Sequence, residues 1–124
     1  MEEQEILNLE TGEKESTSLK PARVKIVEVR VKSVGEKGNK KIGCKVKHPD
    51  NEDLIEISSV RYERNGKLQN TGLWVNLDED NKIRKNSALA VLMAYLGANN
   101  PNAMKDKECD TTEDEKGFLC FKAY

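Results

Sequence analysis

The sequence predicts a mainly β domain of the α+β class: a small barrel of five to six strands, one apolar helix and a C-terminal hairpin. Three observations carry this. Apolar and charged residues alternate with a period of two through most of residues 23–62, as in half-buried strands. The alternation changes phase near Ile26-Val27, the mark of a β-bulge that curls a long first strand. Nine consecutive non-polar residues, Ala88 to Leu96, lie between an N-cap at Asn86 or Ser87 and Gly97.

The first strand is expected from Arg23 to Val34, with Val24 and Ile26 inward before the bulge and Val27, Val29 and Val31 marking the new phase after it. Arg23 and Lys25, then Glu28, Arg30 and Lys32, should face outward. Gly35-Glu36-Lys37-Gly38-Asn39 supplies a turn, and Lys40 to His48 alternates again, with Ile42, Cys44 and Val46 inward and Lys41, Lys45 and Lys47 outward. His48-Pro49-Asp50-Asn51 turns the chain into a third strand, Leu54 to Tyr62, and Arg64-Asn65-Gly66-Lys67 is the next turn. Gly72 to Asn76 reads as a short fourth strand. The helix follows, with Leu89, Leu92, Met93 and Leu96 on one stripe and Ala88, Val91 and Tyr95 on a second apolar face. That second face predicts a cover, by the loop over residues 98–106 or by a second copy of the chain. Residues 107–111 and 118–124 form the last hairpin around a turn at 112–117, with Tyr95, Phe118 and Phe121 read as core. Residues 1–20 are acidic and poor in periodic apolar groups, and are expected to be a disordered tail preceding a single domain over 21–124.

Charge is segregated along the chain. The formal net charge is −1, yet ten Lys or Arg stand against Glu28 and Glu36 between Lys20 and His48. These cations fall in the most strand-like part of the sequence, so they should form rows on one sheet face, a surface suited to a polyanion. An overall pI of about 5.9 argues against a protein that coats duplexes with a wholly basic surface and leaves room for a local groove.

Few residues invite catalysis. Cys44, Cys109 and Cys120 are odd in number and match no disulfide framework or zinc-ligand spacing, so they read as free, buried thiols in a reducing compartment. His48 is the one histidine, with no visible nucleophile partner. Asp50, Glu52 and Asp53, or Asp78, Glu79 and Asp80, lack the spacing of a calcium loop. No catalytic residue, metal or cofactor is expected. No run of roughly twenty apolar residues is present and the start, Met1-Glu2-Glu3-Gln4-Glu5, is acidic, which predicts a cytoplasmic protein without membrane contact.

The element order resembles the OB-fold barrel, whose helix separates the third strand from the last ones. The run from Ala22 to Gly97, opening with Val24-Lys25-Ile26-Val27-Glu28 and closing with Ser87-Ala88-Leu89-Ala90-Val91-Leu92-Met93-Ala94-Tyr95-Leu96-Gly97, is similar to the small single-stranded-DNA-binding proteins of phages and archaeal mobile elements. The resemblance implies a non-catalytic partner of single-stranded nucleic acid, DNA first, with bases stacked on aromatic rings along a positive groove. On that reading Arg23, Lys25, Arg30, Lys32, Lys41, Lys45, Lys47 and Arg61 contact phosphates, and Tyr62 and Trp74 are the stacking platforms. Trp74 also suits a core position between Leu73 and Val75. The alternative is a protein-interaction or virion-type structural module that contacts partners, or a second copy as a homodimer, through helix 88–96.

Overall fold

The computed structural model describes residues 7–8 and 19–124. The acidic tail expected over 1–20 lies outside them except for Leu7, Asn8, Leu19 and Lys20.

From residue 19 onward the described residues form eight strands and an α-helix, a mainly β fold. In chain order they are β1 (Val24–Val34), β2 (Asn39–Lys47), β3 (Ile55–Ile57), β4 (Ser59–Arg64), β5 (Lys67–Gly72), α1 (Ala88–Leu96), β6 (Glu108–Cys109), β7 (Thr111–Glu113) and β8 (Leu119–Ala123). A 3-10 turn at Pro101–Met104 follows α1. One four-stranded sheet has the order β3-β2-β1-β6 and the other β5-β4-β8-β7. β4 and β8 run parallel, while the other ladders are antiparallel. Ser58 and Asp110 are single residues between β3 and β4 and between β6 and β7, so two chain segments pass from one sheet into the other.

The bulge falls where the phase change predicts it. Ile26 pairs with Val46 and Glu28 with Lys45, leaving Val27 as the extra residue. Val24 and Ile26 are buried before it, and Val29 packs against the core after it. Beyond Val29 the β1–β2 hairpin outruns the core, and Val31, expected inward, is 65% exposed.

The third predicted strand is in fact β3 and β4, and its alternation also changes phase: Ile57 is buried in one sheet, Val60 and Tyr62 in the other. The short fourth strand expected at 72–76 is replaced by β5, which pairs with β4 through the Asn65-Gly66 turn, both residues having positive φ. Trp74 makes only an isolated bridge to Lys41. Leu73 is buried there, its N–H donating to Ser58 O and its carbonyl accepting from Ile42 N, so residues 73–75 close the gap beside β2. The last hairpin is tighter than expected: β7 extends through Thr112 and Glu113, and the Asp114 carboxylate accepts from the N–H groups of Lys116 and Phe118.

α1 has the predicted limits. Ser87 Oγ accepts from Ala90 N, and Gly97, at φ 71°, terminates the helix with Ala98 N donating to Met93 O and Gly97 N to Ala94 O. This is a Schellman closure, for which a left-handed glycine is the low-cost residue. Ala88, Leu89, Leu92 and Met93 enter the core beside Ile26, Val60 and Phe121, and Val91 and Leu96 pack against it. The second apolar face is therefore largely covered within the chain. Tyr95, read as core, is 50% exposed, and so is Phe118 at 68%, because β8 begins only at Leu119, beyond the turn.

Two buried polar side chains fasten the entry to β1. His48 Nδ1 accepts from Asp50 N, so its Nε2–H donates to Lys20 O at 2.7 Å. Thr111 Oγ1 donates to Ala22 O and accepts from Ala22 N, at 2.6 and 2.8 Å. Thr111→Val keeps the shape and leaves both Ala22 groups without that partner. It should cost about 1–3 kcal/mol, read as a lower urea midpoint at unchanged slope.

Candidate nucleic-acid interface

Opposed residues of an antiparallel ladder share a face, so the β1–β2 register determines which cations meet. The outward rungs are Lys25 with Lys47, Glu28 with Lys45, Arg30 with Gly43, and Lys32 with Lys41. β3 extends one rung by placing Glu56 opposite Lys45, and the bridge from Lys41 to Trp74 extends another. With Glu108 of β6 opposite Lys25, six basic residues of these rungs stand among three acidic ones on the outer face of this sheet, with the chain's one tryptophan at its edge.

The acidic residues are engaged. Arg30 Nε donates to Glu28 Oε1 at 2.9 Å, and this contact raises the Arg30 pKa and holds the Glu28 carboxyl below its ordinary range. Lys32 Nζ reaches Glu56 Oε2 at 3.1 Å. Both pairs are solvent-accessible, where an ion pair contributes about 0–1 kcal/mol, so exchanging a carboxylate for a phosphate is not opposed by a large stability term.

Lys41 and Trp74 form a second feature. The ammonium lies 5.1 Å from the centroid of the indole, and both side chains pass over Gly72. A Cβ at Gly72 would stand 2.8 Å from Lys41 Cε and 2.9 Å from Trp74 Nε1, so the absence of a side chain creates room for the pair. Trp74 is half-buried, which leaves part of the ring accessible.

Three predicted contacts do not join this face as expected. Arg23 lies at its lower end, paired with Glu108 at 3.2 Å and Asp110 at 3.3 Å. Arg61 belongs to the other sheet, opposite Asn70 and Lys122. Tyr62, expected to be exposed for stacking, is 3% exposed, because it shares the inward phase of Val60. The Arg64 guanidinium sits 5.5 Å from its ring centroid, and Arg64 also donates to Asn86 O. Tyr62 is a core residue and is withdrawn as a platform.

Asp78 Oδ1 accepts from the amides of Asp80 and Lys82 and so closes its own loop. Among the described residues no three His, Cys, Asp or Glu gather into a metal-sized cluster. Also among the described residues, no helix is long and apolar enough to cross a membrane.

Comparison with protein-family models, curated proteins and solved structures finds no match to this chain.

All three thiols are buried, and desolvation pushes Cys44 up to about 12 and Cys109 and Cys120 up to about 11. At pH 8 the folded protein should therefore react slowly with Ellman's reagent, with all three thiols released on denaturation. Above about pH 9 the unfolded thiols ionise while the folded ones do not, so stability should fall as pH rises from there. A pH series of urea midpoints checks the sign.

Proposed function

We propose that this protein binds single-stranded nucleic acid, DNA first, without catalysis, using the outer face of β1 and β2. The observation that carries the reading is the set of outward rungs that gathers Lys25, Lys47, Lys45, Arg30, Lys32 and Lys41 around three ion-paired carboxylates, those of Glu28, Glu56 and Glu108, with Trp74 at the edge. A net charge of −1 over the whole chain gives that face contrast against its surroundings, so a strand would be drawn to one groove.

The same reading takes the two sheets as one OB-like barrel. Strand pairing supports it: β1 pairs with β2, β2 with β3, β4 with β8 in parallel, β8 with β7, and β6 with β1. If β3–β4 and β6–β7 are each counted as one bent strand, the ladder returns to its start after five strands. β5 is then a sixth, added at the edge of β4, and α1 lies between the third strand and the fourth. Phosphates would follow the lysine rows and a base would stack at Trp74.

The protein-contact alternative rests on one observation, the exposed Tyr95 beside exposed Ala94 on α1. A concentration-independent monomer in sedimentation would remove its homodimer form.

Fluorescence anisotropy with labelled oligo(dT) and a matching duplex tests the main reading. With about four phosphates neutralised, affinity for the single strand should fall roughly fiftyfold between about 50 and 200 mM salt, and the duplex should bind more weakly. Two classes of variant should separate. Trp74→Ala should cost about 1–3 kcal/mol of binding at an unchanged salt slope, whereas Lys45→Ala and Lys47→Ala should each flatten the slope by about 0.7. No binding at low salt would reject the reading.

A further inference from the structure

On the outer face of the β1–β2 sheet, one rung has no side chain on β2. Gly43 stands directly opposite Arg30, with Lys41 and Lys45 two residues away on its own strand and Lys32 opposite Lys41. Although it faces outward, Gly43 is buried. What covers it is the side chain of Glu56: a Cβ built at Gly43 would collide with Glu56 Oε1 and approach Lys32 Cδ to 3.0 Å. Glu56 belongs on the next rung, opposite Lys45, and leans across the hollow to meet Lys32 Nζ at 3.1 Å. A carboxylate thus occupies the point on this face around which Arg30, Lys32, Lys41 and Lys45 are arranged.

We propose that the hollow over Gly43 is a seat for one backbone phosphate of the bound strand, and that Glu56 fills it when no strand is bound. The inference rests on the function proposed above and adds a specificity device to it. A carboxylate and a phosphodiester oxygen pair present the same acceptor chemistry to lysine and arginine donors. The carboxylate is on a side chain that can swing away, because its ion pair is exposed to solvent on the lysine side. An incoming phosphate must displace it, so only a ligand that also secures the flanking contacts, at Lys25, Lys47 and Trp74, gains from entering. Glu56 thereby penalises isolated anions and weakly fitting polymers, as a built-in competing charge does at other interfaces.

The test compares the full-length protein with Glu56→Gln and Glu63→Gln, using labelled oligo(dT) at several salt concentrations. Glu63 is an exposed outward residue of β4 in the other sheet, so its substitution changes the net charge equally and leaves the seat alone. Glu56→Gln should tighten oligo(dT) binding by roughly tenfold and steepen the salt slope by about 0.7, because the cation that Glu56 neutralises in the wild type would instead hold a solution counterion that the entering phosphate releases. Glu63→Gln should change affinity less than about twofold. Gly43→Val places a side chain in the hollow, and in a variant whose circular dichroism is unchanged it should weaken binding. If wild type binds and Glu56→Gln leaves affinity unchanged or lowers it, the seat is wrong and the binding function stands. Equal tightening by both glutamate variants would also overturn the seat, as a net-charge effect. If neither wild type nor Glu56→Gln binds, the functional reading itself falls.

Discussion

One extra residue in the first strand determines what the rest of this molecule can present. Without the bulge at Val27, the alternation set by buried Val24 and Ile26 would turn Glu28, Arg30 and Lys32 to the inward face and Val29 outward. Placing the Glu28 charge against the core is far more costly than leaving one strand residue out of the ladder. The bulge therefore holds the register, and with it the alignment of Arg30 with Gly43 and Lys32 with Lys41. It also falls where β1 changes neighbours. Ile26 still exchanges backbone hydrogen bonds with Lys107 and Asp106, at 2.9 and 2.7 Å, and beyond it β1 continues with β2 alone into the exposed hairpin.

Much of this was legible in the residue pattern, because each signal was local. The phase change at Ile26-Val27, the Ser87 cap, the terminating Gly97 and the lysine alternation of β2 all need only a few neighbouring residues to interpret. A second phase change of the same kind, from Ile55 and Ile57 to Val60 and Tyr62, marks the bend at Ser58 and went unread. Reading that shift would have turned Tyr62 inward with Val60. The β5 strand was hidden because Lys67-Leu68-Gln69-Asn70-Thr71 has little apolar content, being an edge strand with both faces largely exposed.

The candidate interface was legible only in composition. Lys32 and Glu56 are 24 residues apart and meet because β3 joins β2 in one register. Gly43 and Gly72 gave no signal as sequence letters, yet each makes room for side chains of a neighbouring rung: Glu56 over one, Lys41 and Trp74 over the other. Together these contacts make the basic face partly self-neutralised. Its ion pairs contribute little stability at the surface, so they are exchangeable, and the proposed binding of a strand uses that exchange.

In the proposed function, the bulge-set register gathers the lysines of β1 and β2 into one polyanion-binding face. Lysine acetylation footprinting by mass spectrometry, with and without saturating oligo(dT), tests it most directly. Lys25, Lys32, Lys41, Lys45 and Lys47 should be protected, with Lys67 and Lys116 at the other sheet as reactive as before. Protection centred on Lys67 and Lys116, or spread evenly over all lysines, would contradict it.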